Sequence, residues 1–131
     1  MSAHPDFHDI VEGRVAVRIV AQDEGHIAFL APRPARKGHV VVATREVVDG
    51  TFDLDARAHA ALWAFVHEVG RAMRRNLPCN RVCVSVIGWV VRHAHVHLVP
   101  TDAPGQVPGL DGPPLADCEA DAIAARLRGG S

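Results

Sequence analysis

The sequence predicts an α+β fold around an antiparallel sheet, and three observations carry that prediction. β-Branched and apolar runs cluster before residue 45, at 15–20, 26–30 and 39–44, and again after residue 80, at 81–91 and 93–99. One long amphipathic stretch separates the two groups. Strands therefore come in blocks and do not alternate with helices, which argues against parallel βαβ units. A chain of 131 residues suits one domain, 1–131, with enough length to bury a proper core.

Taken in order, "VAVRIV" (15–20) and "HIAFL" (26–30) are expected strands joined by "AQDEG", a polar turn that ends on Gly25. "APRPARKG" (31–38) is a loop, because Pro32 and Pro34 block regular pairing. "HVVVAT" (39–44) is a β-branched run of the kind found in buried strands. Leu54, Ala58, Leu62, Phe65, Val69 and Met73 then recur at steps of three or four and make one apolar helical stripe. Asp53 is the expected N-cap, and Asn76 and Pro78 the expected stop. "RVCVSVIGWVV" (81–91) is a strand broken near Gly88, and "HAHVHLV" (93–99) a strand ended by Pro100. A Pro- and Gly-rich loop follows to residue 115, then a short final helix, "ADCEADAIAARLR".

Composition narrows the function. Hydrophobic residues make up 48% of the chain, yet no apolar run is long enough to span a bilayer. A net charge of -1 gives no general nucleic-acid footprint. Cys79, Cys83 and Cys118 are too few and too irregular for a disulfide framework, and the opening residues have no secretory pattern, so a reduced, cytoplasmic setting is expected. His59 and His67 fall among charged helical neighbours and are expected at the surface. His26 is expected to be structural. His4 and His8 lack cysteine or carboxylate companions that would make them metal ligands.

"RHAHVHLVP" (92–100) carries the chemistry. Residues two apart on a strand face the same side, so His93, His95 and His97 present three imidazoles together while Ala94, Val96 and Leu98 face a core. A purely structural role is hard to reconcile with that pattern, since every buried ring brings two nitrogens that need partners. Two functional readings remain open on the residues alone. A His-x-His pair on a strand can hold zinc with a third ligand, for which His39 is available. Alternatively, an imidazole nitrogen attacks phosphorus while its other nitrogen donates to a fixed acceptor and neighbouring rings donate to phosphoryl oxygens.

His93 through Val99 spell His-φ-His-φ-His-φ-φ, with φ apolar, and resemble the signature of the histidine triad family. The likeness extends upstream through "FHDIVEGRVAVRIVAQDEGHIAFLAPRPARKGH": a Phe-x-x-Ile start, a glycine three further on, a hairpin with an acidic turn, "AFL", a Pro-containing loop and Gly38-His39. It covers residues 7–100; residues 101–131 add the loop and the C-terminal helix. The resemblance implies a five-stranded antiparallel sheet with one long helix and a short C-terminal helix, a homodimer packed through the long helix and a strand, and no required cofactor. It also implies nucleotidyl hydrolase or transferase chemistry on esters, anhydrides or phosphoramidates. His95 matches the nucleophile, with its second nitrogen donating to a backbone carbonyl near His93. His93 and His97 match the flanking triad members at the phosphate, and His39 the upstream histidine that completes a tetrad. Phe7, Ile10, Phe29, Leu30 and Pro32 match the nucleobase pocket. The implied ligand is a nucleotide or another phosphorylated small molecule, with no nucleic acid and no membrane as partner.

The departures fall at the substrate contacts. The ribose-binding aspartate of the family is Ala31 here, which removes charge-assisted hydrogen bonds worth about 1.5–3 kcal/mol each. Where the family carries Gly-Gln-Ser or Gly-Gln-Thr before the triad, this chain has Gly88-Trp89-Val90, with no hydroxyl or amide. Ser85 is the nearest polar counterpart of a nucleotide-contacting asparagine, and Trp89 is expected to cover the cleft, to stack on a ligand or to pack at the dimer or sheet edge. Arg92 is expected to be solvated or at an interface. Arg33, Arg36 and Lys37 lie on a loop that could reach phosphate. Some members bind structural zinc; the corresponding positions here read Pro5, His8 and Val47, so no such metal site is expected. These departures leave a second function class in play, a catalytically weak nucleotide- or partner-binding module.

Overall fold

The chain runs α1 (Phe7–Val11), β1 (Ile19–Gln22), β2 (His26–Leu30), β3 (Val40–Thr44), a 3-10 turn (Thr51–Asp53), α2 (Ala56–Asn76), β4 (Arg81–Ser85), β5 (His95–Thr101) and α3 (Asp117–Gly129). This is a computed structural model, and it describes residues 6–106 and 112–129; His4, Pro5 and the 107–111 part of the expected loop lie outside the described residues. The five strands form one antiparallel sheet in the order β1-β2-β3-β5-β4. An α+β, five-stranded antiparallel architecture with one long and one C-terminal helix is what the sequence predicted.

Strand alternation divides the sheet into two apolar faces. Ala28, Leu30, Val40, Val42, Val96 and Leu98 point toward the helices and meet Leu62, Val66, Val69 and Met73 of α2 and Ala120, Ile123, Ala124 and Leu127 of α3. Ile27, Phe29, Val41 and Ala43 point the other way and are covered by Phe7 and Ile10 of α1. The histidine positions of β5 pair with this second set: His95 lies opposite Ala43 and His97 opposite Val41. The register thus puts the imidazoles on the α1 side and a continuous core on the other.

Several boundaries differ from the sequence prediction, each for a local reason. β1 begins at Ile19 and includes Ala21 and Gln22, so the turn is shorter; Val15 and Val17 pack against the α1-side cluster instead of pairing. The N-cap of α2 is Asp55, whose carboxylate accepts from Ala58 N at 2.8 Å. Asp53 lies one turn earlier and accepts from Gly50 N at 3.0 Å, closing the 3-10 turn. Val66, not Phe65, completes the buried stripe of α2, and Phe65 stacks on His26 at 5.2 Å. That contact and the His26–Asp23 pair at 2.9 Å account for His26 as a structural residue.

β4 ends at Ser85, before Gly88, and β5 continues through Pro100 to Thr101. Proline is accepted there because the β3 ladder stops at Leu98. The Pro100 carbonyl accepts from Arg36 Nε at 2.9 Å on that vacated side, which is the side on which a residue's own N–H would also point. The segment 86–91 that the sequence assigned to strand is a loop outside the sheet. Among the described residues no helix is long and apolar enough to cross a membrane.

Candidate active site

Four histidines make a connected chain: His95 and His97 on β5, His93 in the segment just before it, and His39 at the loop end before β3. His39 ends the loop before β3, and its Nδ1 accepts from the Ala35 backbone N–H at 3.0 Å. Its Nε2 lies 3.0 Å from His97 Nδ1, and His97 Nε2 lies 3.1 Å from His95 Nε2. His95 Nδ1 lies 2.5 Å from the His93 backbone oxygen. His93 Nε2 in turn lies 2.6 Å from the Thr44 backbone oxygen.

The two backbone ends fix the direction of the chain. A backbone N–H can only donate and a carbonyl can only accept. With Nδ1 of His39 accepting, its neutral ring carries the proton on Nε2 and donates to His97 Nδ1. His97 then donates from Nε2 to His95 Nε2, and His95 donates from Nδ1 to the His93 carbonyl. Three neutral rings satisfy every contact. In that state His95 Nε2 is a lone pair, and a second N–H stands beside it.

Burial favours the neutral forms of His39 and His95. His39 is 1% exposed and His95 5%. Desolvation, with the neighbouring His95 as a smaller cause, pushes His39 down to about 4. Desolvation also lowers His95 below the usual histidine range, and its bond to the His93 carbonyl opposes that only in part. The Phe7 ring stands edge-on to His95 at 4.8 Å and to Phe29 at 5.4 Å, which holds the His95 ring in place.

Of the expected binding residues, Phe7, Ile10 and Phe29 are brought together on the histidine face. Leu30 is not: it belongs to the opposite, helix-side core, because adjacent strand residues face opposite ways. Leu30 does reach a cavity of about 250 Å³ at the end of the sheet, with Ala31, Pro32 and His39. Ser85 lies opposite His97 in the β4–β5 ladder, and its buried Oγ has no partner among the described residues. Trp89 is 80% exposed, so it is not packed in the core of the single chain. It lines a second cavity, of about 220 Å³, whose floor includes His93 and His95.

The loop cations are engaged elsewhere. Arg36 donates to Pro100 O, and Lys37 pairs with Glu119 at 2.7 Å. Arg92 forms a bidentate pair with Asp49 at 2.7 Å. Sequence reasoning missed Asp49 and Asp53, which line the second cavity opposite Trp89. It also missed the Ala35 N–H and the Thr44 carbonyl. The zinc arrangement seen in some histidine triad proteins does not fit here, since Val47 offers no donor and His8 lies against Glu12 at 3.9 Å. Among the described residues no group of three or more His, Cys, Asp or Glu side chains is arranged to hold a metal ion.

Comparison with known proteins identifies the family and the fold. Residues 12–103 match the HIT domain family. An uncharacterised HIT-like protein of Saccharolobus solfataricus is 30% identical over 100 residues, covering 72% of each chain. An uncharacterised HIT-like protein of Mycoplasma genitalium is 28% identical over 99 residues, covering 72% of this chain and 70% of that one. Among solved structures, a hypothetical histidine triad nucleotide-binding protein from Sulfolobus tokodaii superposes with a TM-score of 0.85 at 20% identity, over 95% of this chain and 89% of that one. A zinc-bound histidine triad family protein from Mycobacterium smegmatis superposes with a TM-score of 0.76 at 23% identity, over 92% and 91%.

Proposed function

The chain belongs to the HIT domain family, and from that premise we propose that it is a hydrolase or transferase of nucleotide phosphoesters, phosphoanhydrides or phosphoramidates that works through a covalent intermediate on His95. The observation that carries the reading is the pair of contacts on the His95 ring: Nδ1 is tied to the His93 carbonyl, and the Nε2 lone pair is left beside the His97 N–H. A nucleophilic imidazole requires that tautomer and that orientation.

In the proposed reaction His95 Nε2 attacks phosphorus and the leaving group departs. The resulting ring cation keeps its Nδ1–H on the His93 carbonyl. His97 exchanges its bond to His95 for one to a phosphoryl oxygen, where charge develops. Water or another acceptor then attacks phosphorus and restores the neutral ring. Ser85 Oγ, buried opposite His97 in the ladder and without a partner among the described residues, supplies a further donor to the nucleotide. Phe7, Ile10 and Phe29 give the apolar wall for the base, with Pro32 at the rim of the adjoining cavity. No step in this scheme needs a cofactor.

We further propose a homodimer through the open edge of the sheet. β1 is buttressed by α3, with Arg128 Nε donating to Ile19 O at 2.8 Å. β4, at the other edge, leaves Val84 46% exposed beside a groove lined by Trp63, Val66 and Gly70 of α2. An unpaired edge strand beside an apolar helix face suits a two-fold partner. The free thiols of Cys79, Cys83 and Cys118 accord with a cytoplasmic setting.

The test is a panel of dinucleoside polyphosphates and nucleoside phosphoramidates, with acid-quenched protein analysed by mass spectrometry. The expected result is turnover with a nucleotidyl adduct on His95, and loss of both in His95→Ala. Turnover unchanged in that variant would sink the mechanism. The absence of a carboxylate at Ala31 favours one other reading, a binding module: tight AMP binding without turnover of any panel member would select it.

A further inference from the structure

The His39 end of the relay is set by one backbone donor, and that donor sits on a loop without regular structure. Pro32 and Pro34 leave the 31–38 loop with no N–H at those positions. Ala35 follows, and its N–H meets His39 Nδ1 at 3.0 Å. The next residue ties this arrangement to the sheet. The Arg36 carbonyl accepts from His39 N at 3.1 Å, which folds the loop back on the histidine. The Arg36 side chain crosses to the far end of β5, where Nε donates to Pro100 O at 2.9 Å and a terminal nitrogen lies 3.5 Å from Asp102 Oδ2.

The receiving end is itself fixed. Asp102 Oδ1 accepts from Asn80 N at 3.1 Å, and the Asp102 carbonyl accepts from Asn80 Nδ2 at 3.1 Å. Asp102 N donates to Gln106 Oε1 at 2.6 Å. Pro100 is held from a second direction as well. Gly38, at φ +91°, passes so close that an added Cβ would stand 3.1 Å from Pro100 Cγ and 2.9 Å from Leu77 Cδ1. Arg36 and Gly38 thus bracket one proline at the end of β5. Arg36 also borders a cavity of about 580 Å³, shared with Lys37, Cys79, Asp102 and Arg126.

The chemical consequence lies in the direction of the relay. A row of neutral imidazoles can pass hydrogen bonds either way, and its ends choose. With the Ala35 donor withdrawn, His39 is free to carry its proton on Nδ1, and its Nε2 becomes an acceptor. His97 then donates from Nδ1 to His39, and its Nε2 turns a lone pair toward His95. The N–H beside the nucleophile is lost although every triad residue is still present.

We propose that Arg36 is a positioning residue that, docked on the end of β5, holds the Ala35 N–H on His39 and so keeps the relay donating toward His95. Its guanidinium contacts lie at Pro100 and Asp102, not on a triad ring. The inference rests on the proposed His95 chemistry for its kinetic consequence, and on geometry alone for its effect on His39.

The test is Arg36→Ala, read in two ways. Long-range proton–nitrogen NMR of the ligand-free protein at neutral pH should show His39 protonated on Nε2 in the unaltered chain and a mixture of tautomers in the variant. On a panel compound that turns over, kcat should fall by about 10-fold to 100-fold, the scale of a misplacement remote from the chemistry, with KM near its original value. Ethylguanidinium has the shape of the side chain removed beyond Cβ and can enter through the cavity. It should restore kcat, whereas ethylammonium at equal ionic strength should not, because it lacks the planar fork. Arg36→Lys keeps the charge without the fork and should show the same signature in smaller size, and it carries the test if Arg36→Ala fails to fold. An unchanged His39 tautomer, a rise in KM with kcat preserved, or restoration by both cations or by neither overturns the positioning role and leaves His95 chemistry intact. No turnover and no His95 adduct in the unaltered protein overturns the parent reading, and the His39 tautomer then still decides the role of Arg36.

Discussion

From the Ala35 N–H to the His93 carbonyl, the polar atoms on one flank of His95 run as a closed chain of donors and acceptors, buried under Phe7 and anchored at both ends by backbone. The other flank, residues 86–93 with the facing 49–53 turn, has exposed apolar side chains, an ion pair at the surface and, at His93 Nδ1, a buried ring nitrogen with no partner among the described residues. The first flank is complete without a ligand and fixes a protonation pattern. The second is incomplete in polar partners and open in shape. In the proposed reaction, a phosphorus centre placed between them meets rigid chemistry on one side and an open surface on the other.

The comparison makes its largest prediction at His97, the link between the two flanks. His97→Ala removes the N–H that stands beside the nucleophile, and loss of one such donor costs about 10²–10³ in kcat. KM should move far less, since the contact is proposed to strengthen with charge developing in the transition state. Steady-state kinetics on any substrate from the panel decides it. A rise in KM with kcat preserved would place His97 in ground-state binding and break the division.

His39 carries the next prediction, one of stability. Its folded value of about 4 lies below the ordinary value of 6.5. Above pH 6.5 both folded and unfolded chains hold it neutral, and its full contribution is present. As pH falls from 6.5 towards 4 the unfolded chain takes up a proton that the folded chain refuses, so stability drops, by about 3 kcal/mol in all. Burial of His95 adds in the same direction. Urea unfolding at pH 7 and pH 4.5 should show the loss, and His39→Gln, whose amide keeps an acceptor and a donor, should flatten it. An unchanged acid slope in that variant would mean that the relay is not what the folded state protects from protons.

Legibility in the sequence follows the same divide. The histidine ladder was readable because strand periodicity alone puts His93, His95 and His97 on one side, and the apolar β3 and β5 residues confirm their register. The long helix was readable from its stripe, though Asp55 and not Asp53 caps it. Leu30 carried its own warning: it adjoins Phe29, so both cannot face one pocket in a regular strand. What stayed hidden was contributed by loops. The Ala35 N–H is invisible because backbone donors leave no mark in composition. Asp49 and Asp53 sit among acidic surface residues about 40 positions from His95, and only the fold returns them to it. Pro100 misled because proline normally marks a strand end, and the early finish of β3 is a property of the assembled sheet.

The smallest expected effect tests whether the open flank is structural at all. Trp89 is the bulkiest apolar side chain on it and is 80% exposed, while its neighbour Val90 is 65% exposed. A tryptophan in a core would cost about 3–5 kcal/mol on truncation. At this exposure the chain has little packing to lose, so Trp89→Ala should leave the unfolding free energy within about 0.5 kcal/mol. The effect should appear in KM, because Trp89 lines the cavity that His95 also lines. Unfolding and steady-state curves on the same preparation separate the two. A loss of stability above about 1 kcal/mol would make the 86–91 loop part of the scaffold. Stability and KM both unchanged would instead return Trp89 to the exposed apolar edge beside β4, where a second copy of the chain is its natural cover.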